Sequence, residues 1–545
     1  MRVLGVNAVF HDPAAALVAD GDVVAAAEEE RFSRRKHGKR PVPFSAWEQP
    51  ELSAAWCLHR AGITAAELDA VAFSYDPRLV DHSLPGVDEN WEHLRTTFTL
   101  HAPGFLKTAL PGLDPDIVRF VPHHVAHAAS AGLAAPFDEC AVITVDGRGE
   151  STSALFGEYR GGRLEILAEQ RLPHSLGLMY EDLTDHLGFR RSSDEYKVMA
   201  LASYAEPIFR ADFAELIRST GDGHFVTDEI DWQRWAPRRG PDEEIGEKHA
   251  QLAASVQARL EDVLLELAEW LHARTGQERL AMAGGVALNC VANTRIADAG
   301  PFREVWAQPA AGDAGTALGA ALHVAAEHGA PAAAMRGADL GPEWSDEEIE
   351  SLLRRAQIDY QRCDDVADVA AEAVARDQTV GWFQGRSEFG PRALGHRSLF
   401  AHPGNAGNVE RLNEIKGREQ FRPVAPMVLL ERAAEVFSRG PLPSPYMLFV
   451  HDVADDWRDR IPAAVHVDGT ARPQTVDRDR EPRLARLLDS FTARTGLPAV
   501  INTSFNTAGR PMVDSPVDAL ECFGASAIDV LALGSFVVRR KGGRS

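Results

Sequence analysis

One local pattern, written twice, constrains this chain more than any other feature. Arg2 to Asn7 is a short apolar run, followed by a polar turn at His11-Asp12-Pro13 and a second apolar run from Ala14 to Ala19. A two-residue turn at Asp20-Gly21 then leads to a return from Asp22 to Ala27. The same order begins again at Ala141. An apolar run to Val145 meets a polar glycine turn, Asp146-Gly147-Arg148-Gly149; a strand follows from Thr152 to Tyr159, then a turn at Gly161-Gly162 and a return through Leu164 to Leu167. Strand, polar turn and hairpin in two copies point to an internal duplication.

Folds that clasp ATP between two related halves, as actin and sugar kinases do, follow this pattern. The expected class is therefore α/β, with an N-terminal actin-like ATPase-fold domain built from duplicated strand-hairpin units. In such a frame Asn7 ends the first strand at the nucleotide side, and Gly147 and Gly149 let backbone amides approach an anion closely. The segment LAMAGGVALNC adds a strand, a Gly284-Gly285 turn and a helix start at Asn289, suited to the base or ribose of a nucleotide. Lys197, set among small apolar residues, has the charge to neutralise a nucleotide phosphate; an ordinary surface lysine is the alternative.

Ahead of the second copy stands VPHHVAHAAS, with His123 and His127 four residues apart. On a helix both imidazoles fall on one face, one turn apart. With Asp146 at the following strand tip they form a candidate site for iron, manganese or zinc; a histidine-rich helix start is the competing reading. Asp313, in AAGDAGTALGAAL, is a second carboxylate candidate, and the small-residue helix after it should pack tightly on a neighbour. The run Glu28 to His37 is densely charged, which by default predicts a solvated face. The clearest helix spans His249 to Thr275, with Gly276 as its stop.

Gly329 to Pro342 is rich in Ala, Pro and Gly and reads as a linker, and Ser345 with Glu348 forms a capping box. The expected domains are 1–343, binding ATP and metal, and 344–545. In the second, GWFQGRSEFGPRALGHRS is followed by basic residues at Lys416, Arg422 and Arg472 and by a strand ending in Asn502, Ser504 and Asn506. Arginines in glycine-bounded turns beside hydroxyl and amide tips suit an oxyanion such as phosphate or carboxylate.

The chain is 545 residues long, too long for one core. A net charge of -23 excludes general affinity for nucleic acid or anionic membranes. Five scattered cysteines without metal spacing fit a reduced cytoplasm, and no apolar run is long enough to span a bilayer. The expectation is a cytoplasmic protein acting on small molecules.

Taken together, AEEERFSRRKH, HHVAHAAS, TVDGRGE, AGGVALN, GWFQGRSEFGPRALGHRS, NEIKGREQFRPVAP and NTSFN resemble the carbamoyltransferases that decorate natural products, including antibiotic O-carbamoyltransferases and the nodulation-factor carbamoyltransferase. The resemblance implies a C-terminal domain like threonylcarbamoyl-AMP synthase. That domain binds carbamoyl phosphate through Arg386, Arg392, Lys416, Arg422, Arg472, Asn502, Ser504 and Asn506, and makes carbamoyl-adenylate and pyrophosphate from it and ATP, with Mg(2+). It also implies Fe(2+), or manganese or another divalent ion in its place, on His123, His127, Asp146 and Asp313. His11 matches the group that takes the proton of an acceptor hydroxyl, Lys197 is the other catalytic candidate, and an unperturbed imidazole titrates in the range a general base needs. The adenosine rests on Gly284, Gly285 and Asn289. Val9 and Phe10 replace the longer acidic first turn expected of the family, and Tyr75 to Pro115 shapes the acceptor site. An antibiotic such as an ansamycin or aminoglycoside is the expected acceptor, and a homodimer the expected assembly. A small-molecule kinase and a non-enzymatic nucleotide-binding regulator share the fold and are the rival readings.

Overall fold

The computed structural model of this chain describes residues 1–37, 49–84, 89–330, 334–507 and 509–540. It divides into two compact units, Met1–Gly337 and Ala338–Ser545. The first unit holds two five-stranded sheets of like order. In one, β1 (Arg2–Asn7), β2 (Ala14–Ala19) and β3 (Asp22–Glu28) form an antiparallel meander, and β4 (Ala70–Phe73) and β5 (Val118–Phe120) add parallel to β1, giving the order β3-β2-β1-β4-β5. In the other, β6 (Cys140–Val145), β7 (Thr152–Arg160) and β8 (Arg163–Arg171) repeat the meander. A separate ribbon of β9 (Ile217–Ser219) and β10 (Phe225–Thr227) intervenes. Then β11 (Arg279–Ala283) and β12 (Glu304–Ala307) run parallel to β6, and the order is β12-β11-β6-β7-β8. The central strands are buried along nearly their whole length, as their unbroken apolar runs require. This doubled order is the actin-like ATPase fold.

The helix Ala314–Glu327 packs against both β1 and the helix His123–Gly132. A Cβ on Gly319 would lie 1.8 Å from the Ala126 carbonyl oxygen, so only glycine permits that approach. The small-residue run therefore fixes where Asp313, at the start of this helix, meets the two histidines.

The charged run from Glu28 to His37 departs from expectation. Glu28, Glu29 and Arg31 are buried. Arg31 Nε donates to Glu28 Oε2 at 3.3 Å, and the Glu29 carboxylate accepts from the Leu52 and Ser53 amides at 3.1 and 2.8 Å. A helix start leaves amides without intrahelical partners, and this carboxylate caps the helix Glu51–Ala61 from the turn after β3. Residues 331–333 of the expected linker lie outside the described residues.

The second unit is built on an eight-stranded mixed sheet, from Gln361–Arg362 at one edge to Gln474–Val476 at the other, with Val380–Phe383, Arg397–Ala401 and Ala499–Ser504 at its centre. Its core packs Trp382, Phe400, Leu488 and Phe491 between sheet and helices. The capping box of Ser345 and Glu348 forms as expected.

Candidate functional site

His123 and His127 open the helix His123–Gly132, both fully buried, and their rings lie 4.7 Å apart. Glu150 seats this helix start by accepting the His123 amide at 2.9 Å and the Asp76 amide at 2.7 Å. Asp146 follows β6. Its Oδ2 stands 3.3 Å from His123 Nε2 and 3.0 Å from His127 Nε2. Asp313 Oδ1 lies 3.6 and 3.7 Å from the same nitrogens. One ligand atom from each of the four residues falls within a 4.8 Å cluster.

The surroundings orient this cluster. His123 Nδ1 donates to the Ser74 carbonyl at 3.3 Å, which turns Nε2 toward the carboxylates. Asp146 Oδ1 accepts from the Gly147 and Gly285 amides at 2.8 and 3.2 Å, leaving Oδ2 for the imidazoles. Burial alone pushes the Asp146 carboxyl up, but the two imidazoles overcome it and hold it well below the usual carboxylate range. Burial would likewise keep His123 neutral, yet its bonds to Asp146 and Asp313 hold its pKa well above the ordinary value. Two nitrogens and two oxygens, buried and convergent, are a donor set that fits a borderline divalent cation. His124 turns away, its Nδ1 2.9 Å from Thr152 Oγ1.

The expected nucleotide contacts are engaged within the protein. The Gly149 amide donates to Thr152 O at 2.7 Å. A Cβ at Gly149 would lie 2.8 Å from His124 Nδ1, so glycine serves the histidine helix here. Gly284 has φ +89°, and its missing Cβ would strike the Val145 carbonyl at 2.2 Å. Asn289 caps the helix Cys290–Ala299 by accepting from Ala292 N at 3.1 Å and pairs with Gln257. Asn7, fully buried, donates to the His11 and Asp12 carbonyls at 2.8 and 2.9 Å and accepts from Ser74 Oγ at 3.3 Å. Lys197 pairs with Asp194 at 3.0 Å. Residue type alone did not show these partners, some local, such as Asp194 for Lys197, and some distant, such as Gln257 for Asn289.

His11 differs from the unperturbed imidazole expected. Burial pulls its pKa down, but the Asp12 carboxylate, 2.8 Å from Nδ1, overrides that and pushes it up to about 10. Its Nε2 has no partner among the described residues. Beside it, Phe10 packs edge-on against Tyr75 and His123, with the Arg95 guanidinium 4.5 Å over its ring. Glu92 gathers Tyr75, Arg95 and Arg148. Tyr75, Glu92 and Arg95 lie in the Tyr75 to Pro115 stretch, which carries no motif, and Arg148 reaches them from the glycine turn after β6.

In the second unit Lys416 Nζ reaches the Ser504 hydroxyl at 2.9 Å and Asn506 Oδ1 at 2.5 Å, so three predicted residues meet at one point. Arg386 donates to the Leu340 and Gly341 carbonyls, and Arg422 meets Glu419 at 3.5 Å. Arg392 is half-buried, and the buried Arg472 Nε has no hydrogen-bond partner among the described residues. Asn502 is a core residue, donating to Gln474 Oε1 at 2.7 Å and Ala393 O at 3.2 Å. The glycine-rich loop is held by residues the sequence did not single out. Glu388 Oε1 accepts from the Leu394 and His396 amides at 2.7 and 2.9 Å, and Arg397 is fully buried, 3.7 Å over the Phe383 ring. A glutamate and an arginine bracketing a Gly-Pro turn were the available signal.

The fold and site thus define an α/β protein of the actin-like ATPase class with a buried four-donor cluster, joined to a second α/β unit that carries a basic, amide-lined point. The family model described as carbamoyltransferase N-terminus matches residues 2–322, and that described as carbamoyltransferase C-terminus matches residues 371–540. The chain belongs to the carbamoyltransferase family. It is 38% identical to the nodulation protein NolNO of Sinorhizobium fredii over 98% of this chain and 80% of that one. It is also 38% identical to the uncharacterized protein sll1178 of Synechocystis, over 99% and 97%. Among solved structures, HypF of T. kodakarensis matches 60% of this chain and 48% of that one at 14% identity and a TM-score of 0.31. No helix among the described residues is long and apolar enough to cross a membrane.

Proposed function

We propose that this chain is an ATP-dependent O-carbamoyltransferase acting in two steps on a hydroxyl-bearing natural product, an antibiotic being the favoured class. In the first, a water molecule hydrolyses carbamoyl phosphate to phosphate and carbamate with release of a proton, and a carbamate oxygen attacks the α-phosphate of ATP to form carbamoyl-adenylate with loss of pyrophosphate. Lys416, with Ser504 and Asn506, is the donor set for the dianion, aided by Arg386, Arg392, Arg422 and Arg472. In the second, the acceptor oxygen bonds to the carbamoyl carbon, its proton passes to His11 Nε2, and AMP leaves with the bonding electron pair.

The observation that carries this reading is the convergence of His123, His127, Asp146 and Asp313 within a carbamoyltransferase N-terminal domain. These residues would hold a divalent cation, iron by the resemblance, which when bound supplies positive charge to the phosphate of the departing AMP. Asp12 keeps His11 oriented and stabilises the imidazolium that forms on proton transfer.

Purified protein, ATP, Mg(2+), carbamoyl phosphate and ferrous iron without acceptor should yield pyrophosphate and, by mass spectrometry, carbamoyl-adenylate. Lys416→Met and Arg386→Ala should abolish both products and His11→Ala should spare them. Nucleotide binding without either product, with every candidate acceptor tried, would defeat the proposal.

A further inference from the structure

Four residues from three separate stretches of the chain form one hydrogen-bonded line beside the four-donor cluster. His11 Nδ1 lies 2.8 Å from Asp12 Oδ2, and His37 Nδ1 lies 3.0 Å from Asp12 Oδ1. His37 Nε2 lies 3.0 Å from the Ser193 hydroxyl. The two imidazoles face each other at 4.7 Å. We infer that Ser193, His37 and Asp12 are positioning residues that fix the tautomer and orientation of His11.

The direction of the two bonds to Asp12 follows from donor and acceptor chemistry. An ionised carboxylate only accepts, so both Nδ1 atoms carry hydrogen. A His37 ring protonated at Nδ1 and otherwise neutral presents a lone pair at Nε2, which takes the Ser193 hydroxyl hydrogen. His11, with its hydrogen on Nδ1, is left with Nε2 as the only nitrogen that can exchange a proton with an acceptor hydroxyl. Burial pushes the Asp12 carboxyl up, but the two histidines reverse this and hold it ionised.

The backbone is shaped for the same end. Phe10, Asp12 and His37 have φ of 63°, 45° and 58°, conformations that non-glycine residues rarely adopt. The clamp from Asn7 to the His11 and Asp12 carbonyls holds this turn. Strain kept in place by surrounding bonds is characteristic of functional sites. Charged groups facing His11 from other elements are Glu181, Glu195 and Asp313. None of them touches Nδ1 among the described residues, so Asp12 alone sets which nitrogen is protonated.

The kinetic consequence rests on the proposed function; the geometry does not. Spectra of the full chain with ¹⁵N-labelled histidine, assigned with His11→Gln, should show a protonated, hydrogen-bonded Nδ1 on His11. His37→Leu should shift that signal, and His37→Asn, which keeps a donor toward Asp12, should restore it. AMP release with water as acceptor should fall on the order of tenfold in kcat in His37→Leu with KM for ATP unchanged, and recover in His37→Asn. Pyrophosphate release serves as the control that the variants are folded. If the wild type forms no pyrophosphate, the functional reading fails and the spectra still decide the chain of bonds. An unchanged His11 signal in His37→Leu would overturn the inference. So would stoichiometric Zn(II) uptake by Asp313→Ala that removes both Nδ1 hydrogens, since the three residues would then be a ligand set.

Discussion

The turn after β1 and the turn after β6 hold equivalent places in the two halves of the first unit, yet they are held by opposite means. The first has no glycine. Phe10 and Asp12 take left-handed conformations, and the buried Asn7 amide pins two carbonyls of the turn. The second has Gly147 and Gly149 at ordinary φ, and its amides turn inward to Asp146 and Thr152. The first turn spends side-chain bonds to aim an imidazole outward; the second spends backbone bonds to aim a carboxylate at two imidazoles. Duplication supplied a common frame, and the polar atoms that fill each turn decided its chemistry.

This contrast can be broken one side at a time. Asp146→Ala should have the largest effect. It removes a donor outright, so bound divalent metal in a metal analysis should vanish and transfer should fall by more than the roughly 100-fold an outer-shell change costs. Asn7→Ala should come next. It strands two carbonyls inside the protein, and the urea midpoint should report a loss of about 2–3 kcal/mol while metal content persists. Retained stability would mean that the strained turn holds itself. Gly149→Ala presses a methyl on the His124 ring and should cost about 1–2 kcal/mol with a weakened metal affinity. A fourth effect is on pH. The pKa of His11 is raised from an unfolded value of 6.5 to about 10, so its stabilisation is complete below 6.5 and is lost as pH rises toward 10. Urea midpoints of the wild type and His11→Gln should therefore converge between pH 6.5 and 10; a constant gap would show that Asp12 does not hold the proton there.

Much of the frame could be read from one dimension. Strand boundaries in both hairpins and the capping box at Ser345 follow from alternation and turn chemistry, which act over a few residues. The histidine pair was legible because helical periodicity alone puts residues four apart on one face. What failed was the fate of polar groups whose partners are distant. The charged run at Glu28 to Arg31 resembled a surface because nothing nearby reveals that Glu29 caps a helix beginning at Glu51. Nor does anything local in the sequence show that Asn289 pairs with Gln257, or Asn502 with Gln474.

The sequence by itself determined the doubled sheet, the family and the identity of the four convergent donors, since each is carried by local pattern or by residue type. Only the tertiary structure decided which donors are already satisfied, that Asp12 raises the pKa of His11, and that Asp12, His37 and Ser193 stand in line behind it. Hydrogen bonds and fields act through space over a few ångströms, and which atoms come that close is fixed by how the chain packs.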